Sequence, residues 1–136
     1  MRIYFFIVLL ILLFSNKSTG QVADSLKFRS LPPEEFLEAY QKAEKGIIID
    51  VREFFEYKTS RLRDAINIPS SGDLDCAADT IARNDDLFFY CTSGFRSKRV
   101  AKFFSGKGFA KVYSLDGGIM AWRKAGLPVE KKRIKK

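Results

Sequence analysis

The sequence predicts an α/β fold, a mainly parallel sheet with helices on both faces. Three observations predict it. Short apolar runs alternate along the chain with segments whose apolar residues recur at helical spacing. Two of those runs, Ile47-Ile48-Ile49 and Leu87-Phe88-Phe89-Tyr90, carry no polar alternation, which marks strands buried on both sides, as in parallel sheets. And the 136 residues suffice for one domain but not comfortably for two.

Taken in order, the chain opens with Met1-Arg2 and an uncharged apolar run over residues 3–14. As a helix it would span about 18 Å, short of the roughly 30 Å hydrocarbon core of a bilayer. Ser18 and Gly20, two apart, supply the small residues of a peptidase site. Residues 1–20 are therefore expected to be a signal peptide cleaved after Gly20, and the product exported, periplasmic or secreted, without stable membrane insertion. Residues 21–30 read as a leader, with Leu26-Lys27-Phe28 as an edge strand. Ser30, the two prolines Pro32-Pro33 and the acids Glu34-Glu35 announce a helix, with Phe36, Leu37, Tyr40 and Ala43 on one face.

The isoleucine strand follows and ends in Asp50-Val51-Arg52-Glu53. Residues 65–68 make a short strand. Residues 74–83 make a helix that turns Leu74, Ala77, Ala78 and Ile81 inward; Cys76 lies beside that face and reads as a small spacer. The turn Asn84-Asp85-Asp86 leads into the Leu87–Tyr90 strand, and Cys91 stands at its carboxyl end. A helix with Val100, Ala101, Phe103 and Phe104 on its apolar side comes next. A strand over residues 110–115 then runs into the turn Asp116-Gly117-Gly118. The last helix is anchored by Trp122.

Charge and composition exclude several functions. Formal net charge is +8. Removing Arg2 and Lys17 with the signal leaves +6, and five of those charges lie in residues 131–136, so the body is close to neutral. The basicity belongs to a tail without interleaved aromatics, which argues against nucleic acid as a partner. There is no histidine, which removes Ser-His-Asp and Cys-His mechanisms and most transition-metal sites. No metal and no cofactor are expected.

What chemistry remains converges on Cys91-Thr92-Ser93-Gly94-Phe95-Arg96-Ser97. A thiol at the carboxyl end of a parallel strand, on a tight loop that opens a helix, stands where open α/β sheets bind ligands. Loop N–H groups and the helix N-terminus favour thiolate, so Cys91 should ionise more readily than an ordinary thiol. Gly94 lets the loop curl, and Arg96 adds a permanent cation.

These seven residues resemble the active loop of rhodanese-like sulfurtransferases, which often reads C-x-x-G-x-R-S. Asp50-Val51-Arg52-Glu53 with Phe55-Glu56-Tyr57 resembles the family's D-V-R-E…E-[YF] segment. Residues 115–130 resemble its C-terminal signature, L-x-G-G-x-x-A-W-x-x-A-G-L-P-V. The match to G-H-I-x-G-A-x-N-I-P is partial, since Ser60-Arg61 replaces Gly-His and Asp64 replaces the second Gly, which bears on local packing rather than sulfur chemistry.

The resemblance covers residues 31–130 and implies a single rhodanese-like domain. It implies a thiosulfate:acceptor sulfurtransferase in which Cys91 carries a persulfide. The donor is a small anion such as thiosulfate, and the acceptor cyanide or a thiol. Residues Thr92, Ser93, Gly94, Phe95, Arg96 and Ser97 would bind substrate, and Asp50 and Arg52 would support the pocket, unless they form only a structural ion pair. The alternatives are a rhodanese-like binding module without turnover and a cysteine phosphatase or arsenate reductase. The phosphatase loop is one residue longer than this one.

Overall fold

The structure, a computed structural model, describes residues 28–132. The expected signal peptide lies outside these residues, as do most of the leader and the last four residues of the basic tail. Among the described residues seven strands and five helices follow one another: β1 (Arg29–Leu31), α1 (Pro33–Lys42), β2 (Gly46–Asp50), α2 (Phe54–Thr59), β3 (Ser60–Arg61), β4 (Ile66–Asn67), α3 (Leu74–Thr80), β5 (Asp86–Tyr90), α4 (Phe95–Gly106), β6 (Val112–Leu115), α5 (Gly118–Lys124) and β7 (Glu130–Lys131).

Five strands form one sheet in the order β1-β6-β5-β2-β4, every pair parallel. The central strand β5 is buried at every position, as its unbroken apolar run requires. Its side chains alternate between two cores. Leu87, Phe89 and Cys91 face a layer that includes Ala78 of α3 and Val100, Ala101 and Phe104 of α4. Phe88 and Tyr90 face the other layer, with Phe36 of α1 and Ile119 and Trp122 of α5. Phe36 meets Phe88 and Trp122 edge-on, at ring centroids of 5.4 and 6.3 Å. The fold class read from the sequence is therefore the one observed.

The boundaries need correction at both ends. The edge strand, Arg29–Leu31, lies three residues later than Leu26-Lys27-Phe28. Ser30 belongs to β1 and caps nothing, because β1 pairs with β6 in a register that joins Ser30 to Ser114. Pro32 takes the N-cap position instead, without a side-chain bond, and Pro33 opens the helix. Phe28, assigned to the leader, is buried in the α4-side core. The basic tail begins later than residue 131. Lys131 pairs with Ser60 in a two-stranded antiparallel sheet of β3 and β7, and the Lys132 N–H donates to the Thr59 carbonyl. Two-residue strands have no periodicity to detect, so nothing in the sequence announces them. The same holds for α2, a six-residue helix closed by a reciprocal capping box of Glu53 and Glu56.

The partial match at residues 60–69 has a local solution. Asp64 takes the left-handed conformation (φ 62°) and preserves the turn. The buried Ser60 accepts a bond from Arg123 through its hydroxyl and one from Arg52 through its carbonyl. Arg61 lies over the Tyr57 ring at 4.9 Å and pairs with Glu130 at 3.5 Å.

Asp50 and Arg52 form the polar knot at the carboxyl end of β2. The buried Asp50 carboxylate accepts from Arg52 through Nε at 3.0 Å and Nη2 at 2.7 Å, and from the Tyr90 hydroxyl at 2.6 Å. That hydroxyl accepts the Leu62 N–H at 3.1 Å. No buried side-chain nitrogen or oxygen of the group lacks a hydrogen-bond partner, which such a group requires to be tolerated at all. Burial, then the Asp50 carboxylate, push the Tyr90 phenol well above its ordinary value, so it stays protonated and donating. Tyr90→Phe would leave the Leu62 N–H and one Asp50 lone pair unmatched. We expect it to lower stability by about 1–3 kcal/mol, read as a lower urea midpoint at unchanged slope.

Candidate active site

Cys91 leaves β5 and is 1 % exposed, on the α4 side of the sheet. The chain then turns sharply through Thr92 and Ser93 to Gly94, the N-cap of α4, which adopts φ 97°. No L side chain takes that conformation readily, and a Cβ there would lie 3.2 Å from the Gly117 nitrogen. The Gly94 N–H donates to Cys91 Sγ at 3.1 Å. Ser97, one turn into α4, sets its hydroxyl 3.6 Å from Sγ. The Ser97 hydroxyl also reaches the Gly94 carbonyl at 3.2 Å and accepts from the Ser114 hydroxyl at 3.0 Å.

The balance on the thiol is thus between two opposed effects. Burial raises its pKa, while the N–H and hydroxyl of Ser97, with the N–H groups of Gly94 and Ser93, lower it; the donors win and Cys91 ionises below the ordinary thiol range. This is the direction the loop residues predict. The weight of Ser97 among the donors, and its bond from Ser114 on β6, come from the tertiary structure. Ser114 is fully buried in a strand next to β5 and faces the same side as Cys91. A lone serine inside an otherwise apolar strand was the available signal.

Arg96 is not a free cation. Nη1 donates to Glu56 Oε2 at 2.9 Å and Nη2 to Oε1 at 3.1 Å, a fork-to-fork pair, and Nη2 also reaches the Thr92 hydroxyl at 3.1 Å. Glu56 is held in turn by the α2 capping box and accepts from Thr92. The bond to Arg96, against burial, holds the Glu56 carboxyl down at about 2. The pair's contribution is complete above the ordinary carboxyl value of 4.5 and is lost as pH falls through about 2, so the clamp is intact at neutral pH. The Glu56 bond, and more weakly the proximity of Cys91, raise the Arg96 pKa. Sequence reading named Glu56 only as part of a motif; 40 residues separate it from Arg96.

Of the remaining candidates, Thr92 clamps Arg96, while Ser93 and Phe95 are exposed at the loop surface, Phe95 at 70 %. Asp50 and Arg52 make no hydrogen bond to the loop. They act one residue upstream, through Tyr90 and through the Val51 N–H bond to the Tyr90 carbonyl at 3.0 Å. The structural ion pair is the reading that fits them. Cys76 is exposed on α3, and both cysteines are free thiols. Among the described residues no group of carboxylate and thiol side chains could hold a metal ion, and no helix is long and apolar enough to cross a membrane.

A parallel α/β domain built round one loop-stabilised thiolate is the class of protein that fold and site define. A family model described as the rhodanese-like domain matches residues 32–125, and the chain belongs to that family. It is 33% identical over 101 residues to the thiosulfate sulfurtransferase GlpE of Pseudomonas savastanoi pv. phaseolicola, covering 71% of this chain and 89% of that protein. It is 35% identical over 116 residues to the tRNA uridine(34) hydroxylase of Aster yellows witches'-broom phytoplasma, 80% of this chain but 37% of the relative. The chain thus spans about a third of the hydroxylases it matches. Among solved structures, a rhodanese-related protein from Thermoplasma volcanium superposes with a TM-score of 0.66 at 30% identity, covering 76% of this chain and 98% of that one.

The share of the Ser97 hydroxyl is testable by the pH dependence of Cys91 alkylation. Ser97→Ala and Arg96→Ala should both move the half-maximal pH upward, because each removes a group that favours thiolate. Ser97→Ala keeps the N–H of residue 97, so its shift reads the hydroxyl alone. Equal midpoints in wild type and Ser97→Ala would refute a contribution from the hydroxyl.

Proposed function

We propose that the protein is a thiosulfate:acceptor sulfurtransferase working through a Cys91 persulfide. The observation that carries this is the thiolate cradle: a buried sulfur at a strand end, with the Gly94 N–H donating to it and the Ser97 hydroxyl oxygen 3.6 Å away. The thiosulfate sulfurtransferase GlpE relatives, which this chain covers for 89% and 93% of their length, support the same chemistry.

In the first half-reaction the Cys91 thiolate attacks the outer sulfur of thiosulfate. The S–S bond of the donor breaks, sulfite leaves with the electron pair, and Cys91 carries the persulfide. The loop N–H groups and the Ser97 hydroxyl favour negative charge on the sulfur before and after transfer. Arg96, oriented by Glu56 and Thr92, offers positive charge to the incoming anion. In the second half-reaction cyanide or a thiolate takes the outer sulfur and the electron pair returns to Cys91 Sγ. No redox partner, metal or cofactor enters this scheme.

Exposure to thiosulfate should add the mass of one sulfur atom to the intact protein, and cyanide should remove it. Cys91→Ser, whose hydroxyl stays protonated, should show neither the gain nor turnover. Sulfur transfer by Cys91→Ser would overturn the proposal, and a stable protein that never gains sulfur would leave the binding module as the better account. Cys76→Ala, remote from the scheme, should retain turnover within about twofold.

We further propose that the protein acts after export, supported by the uncharged run at residues 3–14 and the small residues Ser18 and Gly20. Expressed in its native host, the exported form should begin at Gln21 on N-terminal sequencing. A chain that still reads from Met1 would refute cleavage.

A further inference from the structure

One stripe of α4 is left partly uncovered beside the active loop. Arg96, Arg99, Val100 and Phe103 recur at the i, i+3, i+4, i+7 spacing of a single helix face. With Ser70, from the segment that leads into α3, and Leu74, the first residue of α3, they line a cleft of about 170 Å³. Arg96 stands at the active-loop end of the cleft, where Glu56 clamps its guanidinium and Nη2 reaches the hydroxyl of Thr92, the residue after Cys91, at 3.1 Å. Val100 is buried, and Leu74 and Phe103 are half-buried, so the middle of the cleft is apolar. Arg99 is exposed and makes no ion pair or hydrogen bond among the described residues.

Thiosulfate and cyanide use little of this. Both are compact ions that need the loop, and neither has a hydrocarbon part for the wall of Leu74, Val100 and Phe103. The volume lies below the roughly 300–1,000 Å³ of pockets for drug-sized ligands, so the occupant is small. No carboxylate lines the cleft, and Arg99 brings it a guanidinium without an ion-pair partner among the described residues, so the occupant is anionic.

We propose that this cleft is the subsite for the sulfur acceptor, and that the acceptor is a small thiol carrying an anionic group, of the mercaptocarboxylate class. The inference rests on the persulfide reading above. The acceptor's thiolate sits at the Arg96 end, its hydrocarbon part lies on Leu74, Val100 and Phe103, and its carboxylate meets Arg99. The thiolate attacks the outer sulfur of the Cys91 persulfide. The bond between that sulfur and Sγ breaks, its electron pair returns to Sγ as thiolate, and the acceptor leaves as an organic persulfide. One S–S bond forms and one breaks, so no oxidant or reductant is consumed.

The test uses protein loaded with sulfur from thiosulfate and discharged by mercaptoacetate, mercaptoethanol or cysteamine. These thiols are similar in size and differ in charge, and rates are corrected for each thiol's ionised fraction. For wild type, kcat/KM should fall in that order. Arg99→Glu should lower the mercaptoacetate-to-cysteamine ratio at least tenfold, Arg99→Ala about fivefold, and Arg99→Lys less than either, with the change in KM rather than kcat. Lys102→Glu makes the same charge change on the same helix outside the cleft and should move the ratio less than twofold. Equal shifts in Arg99→Glu and Lys102→Glu would mean a diffuse field and overturn the subsite. So would wild-type protein that loads sulfur but discharges all three thiols equally, and that result would leave the persulfide reading standing. If no sulfur loads from thiosulfate, the persulfide reading fails and the subsite with it.

Discussion

The site depends on one close backbone contact. The first N–H groups of α5 have no partner inside their own helix. Ile119 donates to the Cys91 carbonyl at 2.9 Å and Met120 to the Thr92 carbonyl at 3.2 Å. With those carbonyls turned towards α5, the loop's own N–H groups are free to turn the other way, towards the sulfur. The approach leaves no room at Gly118, where a Cβ would fall 2.5 Å from the Cys91 carbonyl oxygen. A helix more than twenty residues downstream thus decides the polarity of the loop, and through it the charge state of Cys91.

The electrostatics are ordered by distance from the sulfur. The donors in contact with Sγ, above all Ser97, overcome the cost of burial. Arg96 is partly neutralised by Glu56, so its fork is fixed in place rather than left as a mobile cation. This is a site arranged to hold an anion that arrives and a charge that stays on sulfur. It suits group transfer at a thiolate better than proton relay, for which the chain has no histidine. A second guanidinium of this helix face, without an ion pair among the described residues, lies one helical turn further on at Arg99, on the same cleft as Leu74, Val100 and Phe103.

Behind the loop, the Asp50–Arg52–Tyr90 knot performs a different task. It joins the ends of β2 and β5 to the Leu62 turn and to β3, using a carboxylate, a guanidinium and a phenol completed by the Ser60 carbonyl and the Leu62 N–H. Cys91 follows Tyr90 directly, so the knot fixes where the strand releases the chain. Tyr90 points to one core and Cys91 to the other.

The sequence alone determined the sheet type, the strand that carries Cys91, the left-handed turns and the direction of the thiol's pKa. Each of these is local. Two-sided burial shows as an unbroken apolar run, a positive φ as Gly94 or Asp64, and a strand-to-helix loop as the seven residues themselves. Tertiary structure alone decided that Glu56 clamps Arg96, that Ser114 holds Ser97, and that Arg99 faces an apolar cleft. It also decided that β3 pairs with β7, and that Ser30 lies in a strand rather than capping a helix. These pairings join residues far apart in the chain or elements too short to show a period, and a hydrogen bond across such a gap leaves no pattern in one sequence. Only the packing that brings α2, α4 and β6 to one end of the sheet creates them.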